Sequence, residues 1–517
     1  MHASKSPLVL AFVDPPHGTQ GGDWYYRAYV PGAALAARED VHVVYFQNNH
    51  RARKEILRDA DVVVLNAICD QDLFPVIAER KAAGRATVFE INDDFRAVQA
   101  ANPVARFFAE PGNRRILFRL AHLCGANQFT VPELRRLYGS FASRHAVFAN
   151  HLPRTPAPRT DRVSERVIMG WGGSKGHLED VRRVAPTLRA LLEEIPELDL
   201  HVMGAEAIAD LFRDLPSSRF RHVASGTIDE YHAFVATLDI GLAPLENDGF
   251  NRSRSDVKFL EYACHGVVPL VQRLEPYLAS VTHGANGFLF ESPEELAVLV
   301  RGLVRDPGLR SRVSDAAYRS VATTRLEPLH TDARLAFYNE LLAEAGHRPH
   351  SAAEAKNLVA RWAGLAGARR EGRLVMLDAT DYERHLHAGL LAGQRDRDPR
   401  TARRHFEAAA SLCPNDHLPW LYLGTLCDDL SATAKAVDLE PRSVSALLAV
   451  GRAFAAAREP RALQILLRAA ELEPSFEVPY AAVAAFFEET GHAANAAEFR
   501  AFADARAAGF DDPKPLT

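Results

Sequence analysis

The chain contains two successive series of short apolar runs that alternate with longer amphipathic segments. Strands that alternate with helices in this way are typical of a parallel α/β sheet. One hydrophobic core rarely serves a chain of 517 residues, so more than one domain is expected. The first series predicts strands at Leu8–Val13, Val41–Phe46, Asp61–Leu65, Ala86–Ile91, Gln128–Val131 and His145–Phe148.

A proline-rich segment, HLPRTPAPRT, follows the first series and is typical of a boundary between domains. The alternation then restarts, which predicts a second α/β domain of similar size. Its strands are predicted at Val167–Gly170, Leu198–Met203, Phe220–Val223, Ile240–Ala243, Val268–Val271 and Gly287–Phe290. We therefore place the first domain at residues 1–155 and the second at residues 156–345.

After about Ala345 no further strand is predicted, and an alanine-rich helical pattern continues to the end of the chain. Residues 346–382 are interpreted as a linker with a helix. Residues 383–517 contain the phrases HFEAAASLCP, AKAVDLEP and LLRAAELEP, whose final prolines lie 27 and 33 residues apart. They resemble the second helix of a tetratricopeptide repeat (TPR), whose period is about 34 residues. About three imperfect TPR-like helical repeats are expected, with a generic helical bundle as the alternative.

Composition argues against several classes of protein. A formal net charge of -5 over this length gives no reason to expect nucleic acid as a partner. The N-terminus lacks the apolar stretch of a signal peptide, and no apolar run reaches membrane-spanning length. We expect a soluble cytoplasmic protein and leave peripheral membrane contact open. The cysteines are few and scattered, unlike those of a zinc site or a disulfide framework: Cys69, Cys124, Cys264, Cys413 and Cys427.

Residues 239–271, DIGLAPLENDGFNRSRSDVKFLEYACHGVVPLV, predict a buried strand, a polar loop and a helix that begins near Val257. Lys258 lies in the first helical turn, where the helix dipole disfavours a cation unless an anion is also bound. Glu261 lies on the same helix face, and its carboxylate can accept two hydrogen bonds from a ribose diol. By spacing alone, an exposed surface pair of Lys258 and Glu261 is the competing interpretation.

The segment SDVKFLEYACHGVVPLV resembles the donor-site signature of the GT-B glycosyltransferases, in particular the bacterial glycosyl transferases group 1-like family. The resemblance implies an α/β fold with two Rossmann-like domains facing a cleft, followed here by an all-α helical-repeat domain. It also implies that Lys258 approaches the diphosphate of a nucleotide sugar and that Glu261 holds the ribose. Both residues are therefore predicted as catalytic and donor-binding.

The commoner form of this signature has a second glutamate eight residues before the ribose-binding one, in contact with the transferred sugar. This chain has Ser253 there, so another residue is expected to contact the sugar. Asn251 and Ser255 are assigned to the donor site for this reason, and Asp248 and Arg252 are further candidates.

The segment VIMGWGGSKGHLED, residues 167–180, predicts a strand, a glycine-rich turn and a helix. Such a turn lets the backbone approach a phosphate closely, and its spacing fits neither a dinucleotide fingerprint nor a P-loop. The segment resembles the start of the GT-B C-terminal domain, where the turn faces the donor diphosphate. This resemblance assigns Gly172, Gly173, Ser174 and His177 to the donor site, with a solvated helix-end histidine as the alternative for His177.

The segment SGTIDEYHAFVATLDIGLAP resembles the base-binding region of the same family. The resemblance implies that backbone groups of Thr227 and Ile228 contact the nucleotide base and that the helix carrying Tyr231 follows. Because only main-chain groups are required, the side chains do not distinguish uridine from guanosine or adenosine.

Two polar segments of the first domain are candidates for the other wall of the cleft. GTQGGDWYYRAYVP places Gly21 and Gly22 before a helix opened by Asp23, and these three residues are predicted on the acceptor side. VFEINDDF places Asp93 and Asp94 at the carboxyl end of a strand, the edge where open α/β sheets bind ligands. Asp93 is predicted as a catalytic residue and Asp94 as an acceptor-side residue, with helix capping as the alternative for both.

We therefore expect a hexosyltransferase-like glycosyltransferase that moves a sugar from a nucleotide-diphosphate sugar to an acceptor hydroxyl on a protein or a cell-surface glycan. No cofactor and no metal are expected, because Lys258 and the turn at 172–174 can stabilise the departing nucleoside diphosphate. The repeats are expected to recruit a macromolecular acceptor or partner. The competing hypothesis is a catalytically inactive scaffold protein built from GT-B domains and TPR-like repeats.

Overall fold

A computed structural model describes residues 7–16, 21–157, 166–365, 368–511 and 515–516. The first domain is built on a parallel sheet whose central strand pairs with a neighbour on each side, so that Leu10 lies opposite both Val43 and Val62. Its first six strands in chain order are β1 Leu8–Asp14, β2 Val41–Gln47, β3 Val62–Asn66, β4 Ala86–Ile91, β5 Ala126–Phe129 and β6 Arg144–Val147.

Helices cover both faces of this sheet, which explains why its strands are apolar at successive positions. Along β1, Val9 and Ala11 belong to the core on one face, and Leu10 and Phe12 belong to the core on the other. The helices are α1 Gly22–Trp24, α2 Val30–Ala36, α3 Arg53–Asp59, α4 Leu73–Ala82, α5 Ala105–Ala109, α6 Pro111–Cys124 and α7 Pro132–Tyr138. A π-helical turn, Tyr25–Tyr29, joins α1 to α2.

The second domain contains a six-stranded parallel sheet of order β12-β11-β10-β7-β8-β9. Its strands are β7 Val167–Gly173, β8 Leu198–Gly204, β9 Phe220–Ala224, β10 Ile240–Ala243, β11 Val268–Gln272 and β12 Phe288–Phe290. Its helices are α8 Leu178–Glu194, α9 Glu206–Ala209, α10 Ile228–Val235, α11 Gly249–Arg252, α12 Val257–Cys264, α13 Glu275–Leu278, α14 Pro293–Arg305, α15 Pro307–Thr324 and α16 Thr331–Glu344. The last of these returns to the first domain, where Tyr338 donates a hydrogen bond to Gln128 Oε1 at 2.9 Å.

The segment after residue 345 differs from the sequence prediction, because it contains strands as well as a helix. Helix α17 Ala352–Leu365 buries Trp362 against the first domain, and β13 Ala368–Glu371 and β14 Leu374–Leu377 then extend the first sheet. The expectation that strands stop at Ala345 is wrong. Four apolar residues are too few for their periodicity to distinguish a strand from a helix. The segment 374–377 forms a strand because it pairs with β2, and this pairing also covers an edge of the sheet.

The C-terminal region is all helical and forms four consecutive helical hairpins. A small residue recurs in the first helix of each hairpin, at Gly389, Gly424, Gly451 and Ala484. A Cβ atom on any of these three glycines would collide with a side chain of the second helix of the same hairpin, so the small residue allows the two helices to cross closely. The helices are α18 Asp381–Leu390, α19 Pro399–Leu412, α20 His417–Cys427, α21 Leu430–Leu439, α22 Val444–Ala456, α23 Arg461–Leu472, α24 Glu477–Glu489 and α25 Ala493–Asp511.

These hairpins are docked on the first domain through both apolar and charged contacts. Val444 and Phe476 belong to the same core cluster as Phe74 of α4. The guanidinium of Arg119 on α6 is fully buried and lies 2.9 Å from the carboxylate of Glu477. The helical region is therefore part of one body with the first domain.

The expected fold class is confirmed: two Rossmann-like α/β domains face each other in the GT-B arrangement, and an all-α region follows. Among the described residues, no helix combines the length and the apolar character needed to cross a bilayer.

Candidate active site

A cavity of about 460 Å³ lies between the two α/β domains. Loops that follow strands of both parallel sheets line it, as expected where the carboxyl ends of such strands face a cleft. Most of the predicted site residues line this cavity: Gly21, Gly22, Asp23, Asp93, Gly173, Ser174, His177, Thr227, Ile228, Ser255, Lys258 and Glu261. The residues Gly172, Asn251 and Asp94 were also predicted, but they are not among its lining residues.

Lys258 and Glu261 form a buried pair in the wall of the cavity. The Lys258 ammonium donates to Glu261 Oε2 at 3.0 Å and to the Tyr231 hydroxyl at 2.6 Å. The two side chains retain only 14% and 5% of their accessible surface, which excludes the exposed surface pair considered from the spacing. Tyr231 donates to the same carboxylate oxygen at 2.8 Å, so Oε2 has two partners.

The other carboxylate oxygen of Glu261 is less engaged. Its one hydrogen bond among the described residues comes from the Tyr26 hydroxyl at 3.3 Å, across the cleft from the first domain. Burial raises the pKa of Glu261, but the nearby Lys258 and His232, together with the Tyr231 hydroxyl, outweigh it, and the pKa lies below the ordinary value. The carboxylate is therefore ionised at neutral pH, with Oε1 available to accept further hydrogen bonds.

Arg254 is a second cation of the cavity wall, and nothing in its local sequence predicted this position. Its Nη1 donates to Nε2 of His177 at 2.6 Å. Because a guanidinium only donates, Nε2 must accept, and the proton of His177 lies on Nδ1, 2.8 Å from Asp180 Oδ2. Burial lowers the pKa of His177 and the charge of Arg254 lowers it further, to about 4, so the imidazole is neutral. A fully buried carboxylate thus orients Arg254 through a neutral histidine.

The loop before α12 explains why Ser253 and Asn251 do not reach the cavity. Ser253 is fully buried and donates to the Phe250 carbonyl oxygen at 2.9 Å. Asn251 is also fully buried, and its Nδ2 donates to Asp180 Oδ1 at 2.8 Å. Of the four residues considered as substitutes for the missing glutamate, Ser255 lines the cavity, and its hydroxyl accepts a hydrogen bond from Asn150 Nδ2 at 3.0 Å.

The end of β7 and the start of α10 lie beside this cluster. Gly172 and Gly173 were predicted in a turn, but they are the last two residues of the strand, and Ser174 follows it. A Cβ atom on Gly172 would come within 2.7 Å of the Tyr231 ring, so glycine is needed here for packing. Thr227 forms a capping box, in which its backbone N–H donates to the Glu230 carboxylate at 2.7 Å. Its carbonyl oxygen accepts from the Tyr231 N–H at 2.9 Å. Both backbone groups of Thr227 that were expected to contact a base are thus used within the helix.

On the first-domain wall, the adjacent carboxylates Asp93 and Asp94 have different environments. Asp94 is buried and accepts hydrogen bonds from Tyr138 and Arg96. Asp93 lines the cavity, and burial together with the charges of Asp23 and Asp94 raises its pKa to about 7 against the opposing charge of Arg254. A carboxylate with this pKa can exchange a proton near neutral pH.

Further polar atoms of this wall could bind a ligand. Asn92 Oδ1 and Thr130 Oγ1 are buried and have no hydrogen-bond partner within the described part of the chain, and both residues line the cavity. Sequence spacing did not distinguish them from ordinary strand-end residues. Arg252 and Arg254 lie in the loop RSRS, residues 252–255, and their sequence context did not indicate which of them faces the cavity. Only the fold directs Arg254 into the cavity and leaves Arg252 exposed.

No family model and no curated protein matches this chain. Among solved structures, HepE of Anabaena in complex with UDP and glucose matches with a TM-score of 0.48 and 13% identity, over 64% of this chain and 99% of that one. Sucrose-phosphate synthase from Thermosynechococcus elongatus matches with a TM-score of 0.48 and 14% identity, over 65% and 100%. A glycosyltransferase from Rickettsia africae matches with a TM-score of 0.45 and 13% identity, over 65% and 99%. Similarity at this level does not assign an activity.

Proposed function

We propose that this chain is a glycosyltransferase that transfers a sugar from a nucleotide-diphosphate sugar to an acceptor hydroxyl. The observation that carries this proposal is the arrangement of charge in the cleft. Lys258 and Arg254 line one wall, and Asp93, whose pKa is near neutrality, lines the other. Two cations suit a departing diphosphate, and a carboxylate opposite them suits an acceptor hydroxyl.

The donor is proposed to bind against the second domain. Arg254 and Lys258 would contact the diphosphate together with the backbone of Gly173 and Ser174. Glu261 would accept hydrogen bonds from the ribose diol through Oε1, because Oε2 already accepts from Lys258 and Tyr231. The base would lie near Ile228, which lines the cavity. HepE, one of the structural matches, was crystallised with UDP and with UDP-glucose, which makes a uridine nucleotide the first donor to test.

The acceptor is proposed to bind against Asp93, with Gly21, Gly22 and Asp23 beside it. In the transfer step the acceptor hydroxyl forms a bond to the anomeric carbon and the bond to the diphosphate breaks. The hydroxyl proton passes to the Asp93 carboxylate or to the diphosphate, and the negative charge of the leaving group is stabilised by Lys258 and Arg254. These two cations supply the positive charge at the diphosphate, so we propose that the reaction requires no metal and no cofactor.

The helical hairpins are proposed to be TPR-like repeats that select a macromolecular acceptor, such as a protein or a cell-surface glycan. Exposed apolar side chains on these hairpins, Leu412 and Leu430, offer contacts that a small sugar acceptor would not need. Changing both to lysine should reduce transfer to such an acceptor and leave donor hydrolysis unchanged. Unchanged transfer to the same acceptor would argue for a purely structural role of the hairpins.

Calorimetric titration of the full chain with UDP, GDP and ADP tests the donor site directly. We expect one of the three to bind, and Arg254→Ala to weaken its binding about ten- to a hundredfold, the equivalent of a lost charge-assisted hydrogen bond of about 1.5–3 kcal/mol. Arg252→Ala is the matched control, because Arg252 lies in the same loop but its guanidinium bonds to Asn247 on the surface. A wild-type chain that binds none of the three nucleotides would overturn the proposal.

A second measurement separates an enzyme from an inactive scaffold. If the nucleotide binds as expected, the corresponding nucleotide sugars should be hydrolysed slowly in the absence of acceptor. Tight nucleotide binding without hydrolysis or transfer of any nucleotide sugar would favour the scaffold hypothesis.

A further inference from the structure

Three potential metal ligands lie close together behind the Lys258 and Glu261 pair. One ligand atom from each of His232, Cys264 and His265 lies within 4.8 Å of the other two. His232 is in α10, Cys264 is the last residue of α12, and His265 caps the C-terminal end of that helix. His232 lies more than thirty residues before Cys264 and His265 in the sequence, so no short ligand motif indicated the cluster.

The geometry suits a tetrahedral ion after small movements. His232 Nδ1 and His265 Nε2 are 3.0 Å apart. Two imidazole nitrogens on one tetrahedral zinc ion are about 3.3 Å apart, given zinc-to-nitrogen distances of about 2.0–2.1 Å. The rings would therefore separate by a few tenths of an ångström. The Cys264 thiol lies 3.2 Å from the Glu261 carbonyl oxygen, a weak contact that metal binding can replace.

One atom of the cluster lacks a partner. His232 Nε2 is buried and has no hydrogen-bond partner in the part of the chain that the structure describes. The hydrogen bond between the two rings uses only Nδ1 of His232, so Nε2 stays unpaired whichever ring donates. With Nδ1 of His232 on the ion, Nε2 would carry the ring proton, which defines the tautomer of His232 at the site.

Metal binding requires a lone pair on each imidazole and a thiolate at Cys264. The proton of the Cys264 thiol would be released to solvent as the bond from sulfur to the metal forms.

We propose that His232, Cys264 and His265 bind one zinc ion, with water in the fourth position. Two imidazoles and one thiolate form a ligand set that zinc favours over magnesium, calcium or manganese. The ion would tie α10 to the end of α12, next to Tyr231 and one helical turn from Glu261, and so hold the donor-site side chains in place. It would not contact the diphosphate, and the proposal is independent of which reaction the cleft performs.

Metal analysis of the full chain tests the site without reference to activity. Protein expressed with added zinc and then dialysed should contain about one zinc ion per chain, because two imidazoles and a thiolate are strong zinc ligands. His232→Ala and Cys264→Ser should each lose it. His385→Ala and Cys427→Ser are matched controls and should retain it. His385 also pairs with another histidine, His405, at 3.0 Å, yet the described residues place no third ligand with them.

A cobalt titration gives an independent spectroscopic result. Co²⁺ bound at this site should produce a thiolate charge-transfer band that is lost in Cys264→Ser, a variant that changes one atom and is expected to fold. Far-UV circular dichroism checks folding of every variant. A wild-type chain that holds no zinc after expression in its presence and shows no thiolate band with Co²⁺ would overturn the proposal, as would zinc that persists in both ligand variants.

Discussion

Replacement of Lys258 by methionine should weaken both folding and nucleotide binding, for two separable reasons. The substitution keeps the length of the side chain and removes the ammonium, which donates to Glu261 Oε2 and to Tyr231. The Glu261 side chain, 5% exposed, then has no cation in hydrogen-bond contact among the described residues. Breaking a buried ion pair costs about 3–5 kcal/mol. Because Lys258 retains some exposure, we expect a loss near the lower limit, about 3 kcal/mol, at pH 7.

The pH dependence follows from the pKa of Glu261. In the wild-type chain this pKa lies below the ordinary value of 4.5, so the carboxylate stabilises the fold above that pH. In Lys258→Met the ammonium no longer opposes the effect of burial, and the pKa of Glu261 should rise above 4.5. The carboxylate then destabilises the fold at neutral pH, and the deficit should shrink as the pH falls through the raised pKa towards 4.5.

Urea denaturation at pH 7 and near pH 5, combined with nucleotide titration, is the appropriate assay. The double variant Lys258→Met, Glu261→Gln should recover most of the lost stability, since its buried groups are neutral. It should not recover diphosphate affinity, which we expect to remain about ten- to a hundredfold weaker than wild type. A single variant as stable as wild type at pH 7, or a double variant no more stable than the single, would refute this reasoning.

Four further outcomes are expected. Asp93→Asn should slow transfer strongly but leave nucleotide affinity nearly unchanged, and the wild-type rate should rise with pH through about 7, where the carboxylate ionises, whereas the residual rate of the variant should not. Truncation after Ala345 should give insoluble protein, because it removes β14 and uncovers the core around Phe74; a soluble truncated chain with normal nucleotide affinity would contradict this. Glu477→Ala should lower the free energy of unfolding by about 3–5 kcal/mol in denaturation, because it removes the carboxylate that pairs with the buried guanidinium of Arg119. Donor hydrolysis should not depend on added Mg²⁺ or Mn²⁺, and an absolute requirement would argue against the proposed diphosphate site.

Local pattern was sufficient for the two α/β sheets and for the helix that carries the central pair. The strands of both domains lie close to the predicted segments. The central ones, such as β1, β3, β10 and β11, are apolar runs bounded by turn residues, and burial on both faces determines their composition. The spacing of Lys258 and Glu261 likewise determined that they share one face of α12. Their burial and their contact with Tyr231 and Tyr26 could not be inferred, since these depend on what packs against that face.

The remaining features depend on contacts between residues far apart in the chain. Pairing of β14 with β2 joins residues more than three hundred positions apart, and it decides that a short apolar run is a strand. Arg254 became distinguishable from Arg252 only when Asp180 and His177 were placed beside it. Cys264 appeared to be an isolated thiol until α10 brought His232 next to it. Sequence periodicity records which face of a local element is buried, whereas side chains that meet to form a site are brought together only by the packing of whole elements.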